Sequence, residues 1–197
     1  MNAPREHRPV DTPTRNRNRW MLVALFVMFF GALAIAGLLR FSGWRPEGLK
    51  NKGELMEPAV DLRGVVPELV DGKPYRWKDD ERTWRIVAMT HDCDGTQARA
   101  CTQLLEQMDK VWQLAGKDAD RVHVLWVGAL PAGGPRPATL RVIAPADALR
   151  DGLPRAQDPR GMPVYLLDPN GFVVLRYAPG FDPADLRTDL SRLLKVN

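Results

Sequence analysis

The strongest pattern in the chain is an apolar run with no polar period in it. From Trp20 to Leu39 the sequence WMLVALFVMFFGALAIAGLL holds no charge, no amide side chain and no proline. A helix of these twenty residues, rising about 1.5 Å per residue, covers the roughly 30 Å hydrocarbon core of a bilayer. A core helix of a small domain would show one polar face, and this run shows none. Arg19 and Arg40 bound it, and Trp20 and Trp44 suit the headgroup level. The competing reading is a cleaved signal peptide, because Ala34-Ile35-Ala36 has the small-x-small pattern of a cleavage site. The apolar run continues past Ala36, which favours an uncleaved anchor.

Beyond the run the pattern becomes that of a mixed α/β domain. Residues 40–70 scatter Gly, Pro and charge without sustained period, and read as a linker with an irregular lead-in strand. Asp71-Gly72-Lys73-Pro74 is a turn signal, and Trp84 to Thr90 is a short apolar, β-prone run suited to a buried central strand. From Thr96 to Leu114 apolar residues recur at three and four: Ala100, Leu104, Leu105, Met108, Val111 and Trp112. That period predicts an amphipathic helix. Val122–Val127 is a second strand, Gly128–Pro137 a Pro/Gly-rich surface loop, Leu140–Ile143 a short strand and Pro145–Leu149 a helical turn. Val164–Leu167, the turn Asp168-Pro169-Asn170-Gly171 and Phe172–Tyr177 predict a β-hairpin. A last helix, capped by Asp182, carries Leu186, Leu190, Leu193 and Leu194 on one face. Strand, helix, strand, then hairpin and helix is the thioredoxin-like order, a parallel βαβ half followed by an antiparallel ββα half. The expected organisation is a basic tail over 1–19, a transmembrane helix over 20–39, a linker and lead-in over 40–70, and a thioredoxin-like α/β domain over 71–197.

Charge changes the picture in two ways. The sequence carries 28 basic and 24 acidic residues, a balance that invites a nucleic-acid reading. Most of the excess lies in the tail, where Arg5, Arg8, Arg15, Arg17 and Arg19 face only Glu6 and Asp11. From Arg40 onward 23 basic residues meet 22 acidic ones, a mixed surface that makes a poor footprint for a phosphate backbone, so nucleic acid is set aside as a partner. The same tail orients the anchor. Arg15, Arg17 and Arg19 crowd one flank, whereas Arg40, Arg45, Lys50 and Lys52 are diluted by Glu47, Glu54 and Glu57. The bias puts the N-terminus in the cytoplasm and the domain in the periplasm, with the inner membrane as the first partner.

Candidate chemistry concentrates in His91-Asp-Cys-Asp-Gly-Thr-Gln-Ala-Arg-Ala-Cys101. Cys93 falls just past the first core strand and Cys101 near the start of the long helix, where a helix N-terminus favours thiolate. These are the only two cysteines. If every residue between them were helical, their Cα atoms would lie about 12 Å apart, beyond the roughly 7 Å that a disulfide tolerates. Pairing therefore requires the Asp94-Gly95-Thr96 stretch to loop back. Two incidental buried cysteines are the bland alternative. An oxidising compartment and this fold position point instead to a redox or metal pair. His91 could complete a Cys, Cys, His copper site, since soft thiolates and imidazole suit that metal. His123, mid-strand between valines, reads as a packing residue. A cis Met162–Pro163 peptide, expected from its place before the hairpin, would bring the Met162 backbone against the cysteine loop.

With these residues in view the chain resembles a family. The span, Phe41-Ser-Gly-Trp-Arg-Pro-Glu-Gly48, Gly53-Glu-Leu55, the segment 84–101, Tyr165-Leu-Leu-Asp-Pro-Asn-Gly171 and Asp189-Leu-Ser-Arg-Leu-Leu-Lys195 look like the small Sco-related thioredoxin-like membrane proteins of proteobacteria, some of them called cytochrome oxidase assembly proteins. The resemblance implies an assembly factor that delivers copper to cytochrome c oxidase, or reduces its copper-site thiols, with an oxidase subunit or other assembly factors as partners. Cys93 and Cys101 would be the two thiols, with copper as the metal. Two departures stand out. Seven residues separate the cysteines where Sco proteins have three, and Asp158 to Met162 occupy the stretch where the distal histidine is expected. His91 is then the substitute ligand on offer. Two other functions fit the same residues: a thiol-disulfide oxidoreductase in which Cys93 attacks and Cys101 resolves, and a non-catalytic binding module on a degenerate thioredoxin fold.

Overall fold

The structure, a computed structural model, describes residues 12–42, 50–80 and 82–195. Trp44 and Arg45 of the flank beyond the span, the tail residues 1–11 and most of the 41–48 motif lie outside the described residues. Two compact units result, Met1–Leu49 and Lys50–Asn197.

In the first unit α1 runs from Thr12 to Phe41. Its stretch Asn16–Phe41 is long and apolar enough to cross a membrane, and none of it is buried within the chain. Leu22, Phe26, Phe29 and Leu38 all stand exposed. An apolar helix whose large side chains stand exposed is a candidate anchor, because lipid would take those side chains out of water.

The second unit is one six-stranded sheet in the order β1-β6-β5-β2-β3-β4. The lead-in strand is β1, Glu54–Asp61, which pairs antiparallel with β6 at the edge. Its Pro58 lacks an N–H to donate, which an edge strand tolerates. β2 (Trp84–Met89) and β3 (Val122–Val127) pair in parallel, and β4 (Leu140–Ile143) adds to β3. β5 (Val164–Leu167) pairs antiparallel with β2, and β6 (Phe172–Tyr177) completes the hairpin. Both halves of the expected thioredoxin-like plan are present.

The central strands are buried on both faces, so the two-residue period of the pleat sorts their side chains into two cores. Ile86, Ala88, Val124, Trp126, Val164 and Leu166 face the helices α2 (Ala98–Gln113) and α4 (Pro183–Leu193). Val87, Met89, Leu125, Val127, Tyr165 and Leu167 face Leu62, Trp77 and the short helix α3 (Asp147–Gly152). Asp182 caps α4, its carboxylate accepting from the Ala184 N–H at 2.8 Å. His123 is the packed residue expected: 5% exposed, with Nδ1 2.8 Å from the Tyr75 hydroxyl.

Candidate functional site

The site lies where β2 ends. Thr90 leaves the sheet with its backbone N–H and its hydroxyl both donating to the Val127 carbonyl, and the chain then turns sharply at Asp92, whose φ is +53°. Asp92 organises the loop between the cysteines. Its carbonyl accepts from Gly95 N–H and Gln97 N–H, and its carboxylate accepts from the Thr96 N–H at 2.9 Å and from the Thr96 hydroxyl. Those Thr96 hydrogen bonds are the main reason its carboxyl is held below the usual carboxylate range. A Cβ at Gly95 would sit 2.1 Å from the Asp92 carboxylate, so a side chain there would push that carboxylate out of its place in the loop. The loop turns back on itself, α2 begins only at Ala98, and Cys101 arrives in its first turn.

This fold-back closes the gap that a continuous helix would leave. Cys93 and Cys101 form a disulfide, with their Cα atoms 5.6 Å apart. The bond is packed into the apolar core between the sheet and α2, and Cys93 is 1% and Cys101 0% exposed. The two sulfurs are not equivalent in their surroundings. Cys93 is among the residues that line a groove with Ala98, Thr102 and Glu106 of α2 and the loop residues Leu130 and Pro131. Cys101 is not among the residues that line this groove.

Met162, expected to approach the cysteine loop by its backbone, instead brings a third sulfur to the pair. The Met162–Pro163 peptide is trans, against expectation; among the described residues the cis peptide is Glu57–Pro58. Met162 reaches the cysteines by its side chain, placing Sδ 3.5 Å from Cys101 Sγ. Because Cys101 is disulfide-bonded it has no S–H to donate, so this is a packing contact between two soft, polarisable atoms. Its position is fixed from both sides. Before it, Asp158 accepts from the Arg160 N–H and guanidinium and from the buried Arg176 at 2.7 Å, and the Gly161 N–H donates to the Asp158 carbonyl. These hydrogen bonds, Arg160 first, hold the Asp158 carboxyl far below its ordinary range. After it, Val164 pairs with Ala88 of β2.

His91 stands elsewhere. It is exposed and lines a second groove with Thr90, Gly128, Pro145 and Pro159, whereas the buried Cys93 is among the residues lining the groove beside α2. Among the described residues no group of three or more His, Cys, Asp or Glu side chains is placed to hold a metal ion. The donor set that does converge is all sulfur: two cysteines and one thioether.

A family model described as transmembrane-like, thioredoxin-like, C-terminal domain matches residues 84–197. No curated protein matches the chain by sequence. Among solved structures the chain is similar to BsSco, a member of the Sco family of cytochrome c oxidase assembly proteins, at 11% identity and a TM-score of 0.53, covering 74% of this chain and 98% of that one. It is similar to yeast Sco1 with copper bound at 16% identity and a TM-score of 0.51, over 67% and 90% of the two chains. An apo structure called Trgpx matches as well, at 16% identity and a TM-score of 0.51, over 68% and 95%. At these identities the likeness is one of fold.

Proposed function

The chain belongs to the family of transmembrane-like, thioredoxin-like C-terminal domains, and we propose that it is a Sco-like assembly factor, tethered by α1 to the inner membrane with its N-terminus cytoplasmic and its domain periplasmic. Its Cys93–Cys101 pair cycles between disulfide and dithiol to reduce the disulfide form of the copper-site cysteines of cytochrome c oxidase, or to hand copper on to their thiols. The observation that carries this reading is the disulfide itself, whose Cys93 is among the residues lining a groove beside α2. The likeness in fold to BsSco and to copper-bound yeast Sco1 supports it.

The exchange assigns each sulfur one role. In the dithiol form the Cys93 thiolate attacks a disulfide of the partner, forming a mixed disulfide and releasing one partner thiolate. The Cys101 thiolate then attacks Cys93, restoring the intramolecular bond and releasing the second. Two electrons pass to the partner, which becomes a dithiol, and a dithiol reductant of the compartment restores the starting state. Replacing Cys101 by Ala should stall the exchange and leave a mixed disulfide between Cys93 and the copper-bearing oxidase subunit. If no such conjugate is captured, and oxidase activity in copper-poor medium is unchanged when both cysteines are alanine, the reading fails.

A second reading has its own observation. Both sulfurs are at most 1% exposed, which suits a structural staple in a binding module that has no redox chemistry. In that case the double alanine variant would lose stability and keep its phenotype.

A further inference from the structure

We propose that the dithiol form binds one Cu(I) ion in an all-sulfur site of Cys93 Sγ, Cys101 Sγ and Met162 Sδ, without His91. This deepens the copper-handling reading and rests on it.

Thiolate and thioether are the soft donors that select monovalent copper, and these three converge in one apolar cluster. Two sulfurs on one first-row metal, with bonds of about 2.3 Å, stand roughly 4 Å apart in a trigonal arrangement. Met162 Sδ and Cys101 Sγ are already 3.5 Å apart, so the thioether needs little movement to share a metal with that thiolate. Met162 is held there by the Asp158 turn on one side and the β5–β2 pairing on the other. Cys101 sits in the first turn of α2, where the helix dipole favours the negative charge of a bis-thiolate complex. His91 is solvent-exposed and turned to the other groove. The balance is simple. A dithiol reductant supplies two electrons and two protons to open Cys93–Cys101 and leaves as its own disulfide; Cu(I) then displaces both thiol protons to solvent, and no electron moves in the binding step.

The test uses the full chain in detergent, reduced with a dithiol and titrated anaerobically with Cu(I) against a chromophoric Cu(I) chelator. The wild type should take up one Cu(I), and its X-ray absorption should show a sulfur-only shell. Met162→Leu should weaken binding at least tenfold and remove one sulfur from that shell, while His91→Ala should leave affinity unchanged. Selenomethionine labelling does not depend on a substitution being tolerated: it should show a copper–selenium distance in the wild type. Unchanged affinity in Met162→Leu, a nitrogen ligand lost in His91→Ala, or no copper–selenium contact would overturn the site. Absence of any Cu(I) binding overturns both the site and copper delivery, whereas thiol exchange is judged by its own mixed-disulfide test.

Discussion

The Asp189 carboxylate of α4 accepts a hydrogen bond from the backbone N–H of Gly53 at 2.8 Å, fastening the start of the sheet domain to its last helix. The same oxygen accepts from the Lys52 N–H and from the Tyr177 hydroxyl, and Asp189 is only 2% exposed. Burial first, and this carboxylate second, push the Tyr177 phenol far above its usual range. Asp189→Ala should leave two buried donors and one partly buried donor without an acceptor and cost on the order of 3 kcal/mol in denaturant unfolding. Gly53→Ala should also destabilise, because its Cβ would lie 2.7 Å from the Tyr177 ring. A loss below about 1 kcal/mol in both variants would show that this fastening contributes little.

Acid should weaken the domain through His123. Burial, with the nearby charges of Arg141 and Arg85, pushes its imidazole down to about 4, while Asp80 opposes the shift. The unfolded chain titrates near 6.5, so between these values it binds more protons than the folded chain. The contribution is therefore complete above pH 6.5 and is lost as pH falls towards 4, by on the order of 3 kcal/mol. Unfolding curves at pH 7 and pH 4.5 should separate more for the wild type than for His123→Gln. Equal separation would mean that His123 charges freely in the folded state.

Opening the disulfide should cost stability without unfolding the domain. The cysteines are eight apart in sequence, and closing so short a loop restricts the unfolded chain by on the order of 2.5 kcal/mol. Thermal melts with and without a dithiol should differ by roughly 5 to 10 °C. Complete loss of the transition on reduction would contradict a dithiol form that works.

Asp158→Asn should loosen the turn that carries Met162, because it removes the charged partner of Arg160 and the nearer of the two carboxylates beside the buried Arg176. The melting temperature should fall. Since the Asp158 carboxyl is depressed, its stabilisation is present above the ordinary carboxylate range and lost on acidification. The wild type and Asp158→Asn should therefore converge in stability at low pH; a gap that persists there would assign the effect to packing.

Elements whose pattern is local are legible in the sequence. The apolar run 20–39, the helical period of α2 and the turn-bounded hairpin each span a short stretch, and all three elements are present. The fold-back between the cysteines is legible as a requirement, and Gly95 is its visible sign. Asp92, which ties that loop, carries no such sign, because an aspartate in a polar stretch reads as surface. Met162 stands out only for its proline, since its contact with Cys101 spans 61 residues and exists only because β5 pairs with β2. Asp189 is hidden for the same reason: a carboxylate between leucines looks like the edge of a helix's polar face, and its backbone partners are 136 and 137 residues away.

The most direct measurement is a redox titration of the Cys93–Cys101 pair in the folded full chain, read by thiol alkylation and mass across buffers of defined potential. A working exchange centre should reduce reversibly as a two-electron couple with a midpoint above about −300 mV. A bond that stays closed below that value, and opens only when the domain unfolds, would contradict the account.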